Sequence, residues 1–341
     1  ENSTFQKVKI SEKKMPKRSS SKIAWGAFLE WVKTIVFDQQ VISDGEGETK
    51  ICELFCGAGQ EFDKYQKFGI TQVIALDVRL EKVRDAFRVW EEKKSQDKLS
   101  FEAHFGQWNP ITDESPTKLN QDELRGNEKH STRIVRKQEK QAWEALFQNL
   151  HAVTTFRSFE RVCIDESCLR RLLSTISAML VDEGVWVGLM PDSAEIWSQI
   201  VKKRDMKRTF KDKFDQYWFK VKSSSLKRFG TEYDLKLPDG RVTANFLVHF
   251  QSMIAIAREY DLYMMEIINL KSFYETYRKH YAPLLRKLGL PLRIDSKKPW
   301  VLTGSIQLYA LIIFKKKLNK QQQAMSSSSS TSGSSSLTTT M

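Results

Sequence analysis

The feature that most constrains this chain lies at residues 50–59, where the apolar run Lys50-Ile51-Cys52-Glu53-Leu54-Phe55-Cys56 leads into Gly57-Ala58-Gly59. A short apolar run ending in glycines reads as a buried strand. Two glycines directly after it let the backbone approach a ligand before the next helix starts. The run 71–77 (TQVIALD) reads as a second strand and ends in Asp77. A carboxylate there can accept hydrogen bonds from both hydroxyls of a ribose, so the two features together outline an adenosine-ribose site at the carboxyl edge of a sheet. A tight turn of no function would use the same glycines; Asp77 at the neighbouring strand end weighs against that. Phe62 stands where the third glycine of GxGxxG would fall, which favours a methyl donor over a dinucleotide. No GxxxxGK[ST] loop is present, which disfavours a P-loop nucleotidase.

The rest of the chain alternates in the same way. Ile23, Phe28, Trp31 and Ile35 recur at helical spacing, which predicts an amphipathic helix over 23–37. Helices are expected between the first two strands (Phe62, Tyr65, Phe68), over 79–95, over 141–150 and over 166–181. Further strands are expected over 99–105, 150–156 and 185–190, then near 232–237 and 307–315, with a helix near 246–260. Strands alternating with helices imply a mostly parallel sheet covered on both faces. The polar stretch 109–140 reads as a flexible insertion. The arm 1–22, with seven lysines or arginines, and the Ser/Thr-rich tail 318–341 are expected to be disordered.

The formal net charge of +13 favours a polyanionic partner such as nucleic acid, although basic tails on an ordinary enzyme give the same sum. Much of the excess sits at 201–228, where eleven lysines or arginines face three aspartates and Phe210, Phe214, Tyr217, Trp218 and Phe219 interleave. That stretch is either an RNA contact or a solvated surface loop. Cys52, Cys56, Cys163 and Cys168 form no CxxC pair, so buried thiols in a reducing compartment are expected. His104, His151 and His249 lie in apolar contexts and read as structural histidines. No run of about 18 apolar residues is present, so no membrane span is expected.

A set of motifs in order along the chain resembles the mRNA cap guanine-N7 methyltransferases, over roughly residues 24–315 and most of all the divergent second form found in plants. The helix FLEWVKTIVF (28–37) is similar to the family's FNNWxKxxLI, with Trp31 and Lys33 matching and Leu29 and Glu30 in place of two asparagines. ELFCGAGQEFDKY resembles DLGCGKGGDLxKW: Glu53, Gly57, Gly59 and Lys64 correspond, while Phe55 and Ala58 replace a glycine and a lysine. GVWVGLMPDSAEIW (184–197) is similar to GGYFIGTTPNSxxI, FGTEYDLKL (229–237) to FGxxYxFxL, and ANFLVHF (244–250) to PEYLVxF. Phe273-Tyr274-Glu275 and the closing strand with Tyr309 and Phe314 complete the set.

The resemblance implies a class I, Rossmann-like α/β methyltransferase domain over 23–317, with a mostly parallel seven-stranded sheet, an antiparallel closing strand and helices on both faces. It implies transfer of a methyl group from S-adenosyl-L-methionine to guanine N7 of the mRNA cap. Lys33, Glu53, Phe55, Gly57, Gly59, Asp77 and Gln107 would border the donor, Gln107 standing where the family has an aspartate. Lys64, facing the triphosphate bridge, and Asn245 and Tyr309, facing the base, would hold the cap. No catalytic acid or base is assigned, because N7 already has a free lone pair. Asn245 replaces the glutamate that reads guanine in the family, and Phe156 and Glu160 fall at its glutamine and histidine positions. These losses leave open a catalytically impaired relative that binds RNA or a partner, and a different methyl acceptor. Capped mRNA is the implied partner, with the capping or transcription machinery beyond it, in a nuclear monomer.

Overall fold

The computed structural model describes residues 20–41, 47–126, 137–156, 158–203, 209–211, 217–223, 225–238, 240–293 and 304–318. The basic arm before residue 20, the tail after 318 and much of the basic 201–228 stretch lie outside these residues.

Helix α1 (Ser20–Val36) forms where the helical spacing predicts it and buries Trp25, Phe28, Trp31, Val32 and Ile35 along one face. The alternating core then runs β1 (Lys50–Leu54), α2 (Phe62–Lys67), β2 (Gln72–Asp77), α3 (Leu80–Ser95) and β3 (Glu102–Gln107). After β4 (Thr117–Lys118), α4 (Gln121–Arg125) and α5 (Lys137–Leu146) come β5 (Leu150–Thr155), a 3-10 turn (Phe159–Ile164), α6 (Glu166–Met179), β6 (Leu180–Pro191) and α7 (Ser193–Lys203). Four short strands follow: β7 (Thr209–Lys211), β8 (Trp218–Val221), β9 (Glu232–Lys236) and β10 (Val242–Phe246). The chain closes with α8 (Phe250–Glu259), β11 (Leu262–Asn269), α9 (Leu270–Tyr277), α10 (Ala282–Lys287) and β12 (Tyr309–Lys316).

The main sheet has the order β11-β12-β6-β5-β1-β2-β3-β4. β1 is parallel to β2 and β5, β2 to β3, and β5 to β6; β12 lies antiparallel between β6 and β11. This is the expected mostly parallel sheet of seven strands with an antiparallel closing strand, extended by the two-residue β4. From β1 the order runs outward through β2 to one side and through β5 to the other. Such a switch point opens a crevice at the carboxyl ends of the strands. Helix residues cover both faces: one apolar cluster gathers α1, Phe62, Tyr65, Val83 and Phe87, the other Leu169, Leu172, Leu173 and Ile176 of α6 with Met253 and Ile256 of α8.

Several expectations are corrected. The helix expected near 246–260 begins only at Phe250, because 242–246 continue as β10 and His249 caps the helix, its Nδ1 accepting from Ser252 N at 3.2 Å. The third strand sits at 102–107 rather than 99–105. A second, antiparallel sheet (β10-β9-β8-β7) was foreseen only at 232–237. The segment expected as a flexible insertion carries β4 and α4, where Asn120 and Glu123 form a reciprocal capping box, and Trp143 of α5 donates to the Pro116 carbonyl at 3.0 Å. Residues 127–136 of that segment lie outside the described ones. Among the described residues no helix is long and apolar enough to cross a membrane.

Trp186 ties the centre of the sheet together. It is fully buried in β6, stacks on Phe314 of β12 at 4.9 Å between centroids, and donates to Thr155 Oγ1 of β5 at 3.0 Å. Trp186→Ala is expected to cost about 3–5 kcal/mol in urea denaturation, because it opens a cavity and strands the Thr155 hydroxyl. A loss below about 1 kcal/mol would contradict this packing.

Candidate functional site

The crevice at the switch point is built by the turns after β1 and β2. The backbone after β1 goes left-handed at Phe55 (φ 62°), Gly57 (φ 59°) and Gly59 (φ 70°). Phe55 thus keeps a conformation that costs a side-chain-bearing residue about 1–3 kcal/mol and that persists only where the surroundings demand it. Its ring does not stand alone in the turn: it is buried in the apolar cluster with Leu54, Ile74, Leu76 and Trp108. At Gly59 a Cβ would meet the Phe62 ring at 2.4 Å, so the loop presses its backbone directly onto α2.

Asp77 locks the two turns to each other. Its Oδ2 accepts from Gly57 N at 2.9 Å and its Oδ1 from Arg79 N at 3.0 Å. Each carboxylate oxygen has two acceptor sites, so one on each remains for an external hydroxyl. That is the requirement of a ribose diol, and the residues present fit S-adenosylmethionine on this ground. Gln107 sits opposite Asp77 in the β2–β3 register and donates to the Val78 carbonyl at 3.0 Å, bordering the same edge. Glu53 is buried in β1; its negative charge, after burial itself, pushes up the thiols of Cys52 and Cys56. Those cysteines are neutral packing groups. His104 and His151 are structural as expected: His104 Nε2 lies 2.9 Å from Gln72 Nε2, and His151 Nδ1 accepts from Lys50 N at 3.1 Å.

The two matched lysines behave differently from expectation. Lys33 reaches the carboxyl edge, 5.0 Å from the Phe156 ring, but its ammonium is joined to Glu61. Lys64, expected at the cap phosphates, is corrected: it is 4% exposed and pairs with Glu30 at 2.6 Å and Glu61 at 3.2 Å. Two carboxylates already neutralise it, so its charge docks α1 onto α2 instead of facing solvent. Glu61, which sequence reasoning passed over, is the centre of this network. Its spacing of three residues from Lys64 on a helix start was the available signal.

The two residues expected to face the base lie on β10 and β12. Asn245 is buried in β10, with its Nδ2 donating to Thr243 O (3.2 Å) and Oγ1 (3.0 Å). Tyr309 opens β12 beside Trp25, with ring centroids 5.5 Å apart. Tyr233, unassigned from sequence, faces Asn245 across the β9–β10 ladder and is fully buried. The alternation of Tyr233 with Leu235 was the signal for its inward face.

Burial pushes the Glu61 carboxyl up, but Lys33 and Lys64 outweigh it and hold it at about 2. A folded value below the unfolded one gives stability that is complete above the ordinary value of 4.5 and lost as pH falls towards 2. Glu61→Ala is expected to cost about 3–5 kcal/mol at pH 7, since it leaves two buried ammonium groups short of a partner. Between pH 4.5 and 2 the gap between wild type and this variant should narrow. A gap constant through that range in pH-dependent denaturation would contradict the network.

A family model described as the mRNA (guanine-N(7))-methyltransferase domain matches residues 5–336. The chain is 27% identical over 279 residues to mRNA cap guanine-N(7) methyltransferase 2 of Oryza sativa subsp. japonica, covering 78% of this chain and 74% of the relative. It is 27% identical over 286 residues to the protein of the same name from Arabidopsis thaliana, covering 78% and 71%. Among solved structures, an S-adenosylmethionine-dependent methyltransferase from Clostridium acetobutylicum aligns at 10% identity with a TM-score of 0.44, over 86% of this chain and 92% of that one. The family match spans the turns after β1 and β2 and the strands β9 and β10, and the chain belongs to the mRNA (guanine-N(7))-methyltransferase family.

Proposed function

We propose that this chain transfers a methyl group from S-adenosylmethionine to N7 of the guanine cap of mRNA. The observation that carries the proposal is Asp77, held by two backbone amides at the switch point with an acceptor site left on each oxygen. When bound, S-adenosylmethionine supplies an electrophilic methyl group on a sulfonium. The chain's own task is to bind and align. Asp77 holds the ribose, the Gly57–Gly59 backbone and the Phe55 turn form the cradle, and Gln107 borders the adenosine end. Glu53 places negative charge beneath the loop, which suits a cationic donor. Lys33 acts through Glu61, fixing α1 against the loop. N7 carries a free lone pair, so no side chain has to remove a proton, and proximity of two oriented substrates supplies the acceleration. Asn245 and Tyr309 form the wall for the base.

The exposed Lys202, Lys220, Lys227 and Arg228 support contact with the RNA backbone, because cations near phosphates add salt-dependent affinity. Lys222 does not join them, since it pairs with Glu232 and Asp234 at 2.9 Å each. The same reading makes the protein a nuclear monomer that meets transcripts near the capping or transcription machinery; the basic arm at 1–22 supports a nuclear address. A non-catalytic relative would be favoured by a crevice plugged by Phe55, whereas that ring packs in the apolar cluster.

Labelled S-adenosylmethionine with GpppG-capped RNA should yield N7-methylguanosine, and folded protein that gives none contradicts the proposal. Asp77→Ala should raise the donor KM by roughly tenfold or more, the cost of charge-assisted hydrogen bonds to a ribose. An unchanged donor KM would remove Asp77 from the site.

A further inference from the structure

A cavity of about 320 Å3 opens between the start of α7 and the chain that links β10 to α8. Ser193, Ala194 and Trp197 line it from α7, His249 and Phe250 from the start of α8, and Lys227 from the loop before β9. Trp197 and Phe250 are only half-buried, and they pack against different apolar clusters of the core. The cavity therefore lies on the seam between the two clusters, where neither ring is fully covered. Its size is at the lower end of small-ligand sites, which run to roughly 300–1,000 Å3.

Two short steps join this cavity to the residues expected to face the cap base. Leu247, also in its lining, comes two residues after Asn245, at most about 7 Å along the chain. Pro191 pairs with Tyr309 in the β6–β12 register, and Ser193 comes two residues after Pro191. The buried Ser193 hydroxyl accepts from Val248 N at 2.8 Å and fastens the two walls to each other.

The lining has a definite chemistry. No carboxylate belongs to it among the described residues, and the exposed Lys227, followed by the exposed Arg228, brings positive charge. His249 caps α8 by accepting through Nδ1, so its hydrogen is on Nε2, where it can be donated. Two partly open aromatic side chains, a ring N–H and a cation with no anion beside it suit a nucleotide. Its base stacks on an aromatic ring and its phosphate meets the cation. The cap offers such a group one triphosphate bridge away from the methylated guanosine, in the first nucleotide of the transcript.

We infer that this cavity is a subsite for the first transcribed nucleotide, its base packed against Trp197 and Phe250 and its phosphate met by Lys227. The inference rests on the proposed cap methylation and extends it from the cap to the RNA behind it. Stacking is blind to the edges of a base, so the subsite takes any of the four.

The test compares kcat/KM on two short GpppN-capped RNAs, one intact and one whose first transcribed nucleotide is abasic. The two carry the same cap and the same phosphates. Wild type should prefer the intact RNA by roughly tenfold, the contribution of one stacked base. In Trp197→Ala, and in Ala194→Trp, which fills the cavity from an exposed position, the preference should fall to within about twofold. On the abasic RNA both variants should stay within about twofold of wild type, which a misfolded protein would not do. Wild type that methylates both RNAs equally overturns the subsite and leaves cap methylation standing. So does an Ala194→Trp variant that keeps the wild-type preference, or one that loses activity on both RNAs alike. Wild type that methylates neither RNA overturns cap methylation itself, and the subsite with it.

Discussion

One carboxylate holds the working end of this protein together. Asp77 receives the amides of Gly57 and Arg79, so the turns after β1 and β2 cannot move independently. These are charge-assisted bonds in a buried setting, stronger than ordinary ones. The left-handed backbone of Phe55, Gly57 and Gly59 follows from that tie, since only a tightly folded-back loop brings the Gly57 amide to the carboxylate. A side chain at Phe55 survives there because its ring finds an apolar cluster to enter. Packing of the ring thus offsets the cost of a left-handed residue that is not glycine.

Around this tie the ions divide into two kinds. Glu61, Lys33 and Lys64 are buried and, with the partly exposed Glu30, pin α1 to α2 beside the turn after β1. Removing water from such a network is costly, and its members balance one another's charge. Two buried groups on β9 and β10 are left without partners by contrast. The Tyr233 hydroxyl and Asn245 Oδ1 keep hydrogen-bonding capacity that the fold does not use. A protein tolerates buried polar groups of this sort where a ligand completes them.

Most of the main sheet was legible in the sequence. KICELFC, TQVIALD and GVWVGLM are continuous apolar runs, the mark of strands buried on both faces, and each became a central parallel strand. What was not legible lay at edges and in short ladders. β11 exposes Met264 and Met265 on an outer strand, and β7 and β8 are three and four residues long in a stretch whose lysines mask their alternation. The strand-to-helix change at 246–250 was missed because Phe246, Leu247 and Val248 suit either period. For the site, Asp77 and the glycines could be placed because strand ends fix them. Lys64 could not, because motif spacing reports which residue is present and not which carboxylate, 34 positions away at Glu30, will claim it.

In the proposed complex, adenosine of the methyl donor lies across the tips of β1 and β2, gripped by Asp77. The most direct measurement is amide hydrogen exchange with and without S-adenosylhomocysteine. Exchange should slow chiefly at residues 55–60 and 77–79, the two turns that Asp77 joins. Protection confined to other segments, or none at saturating ligand, would contradict it.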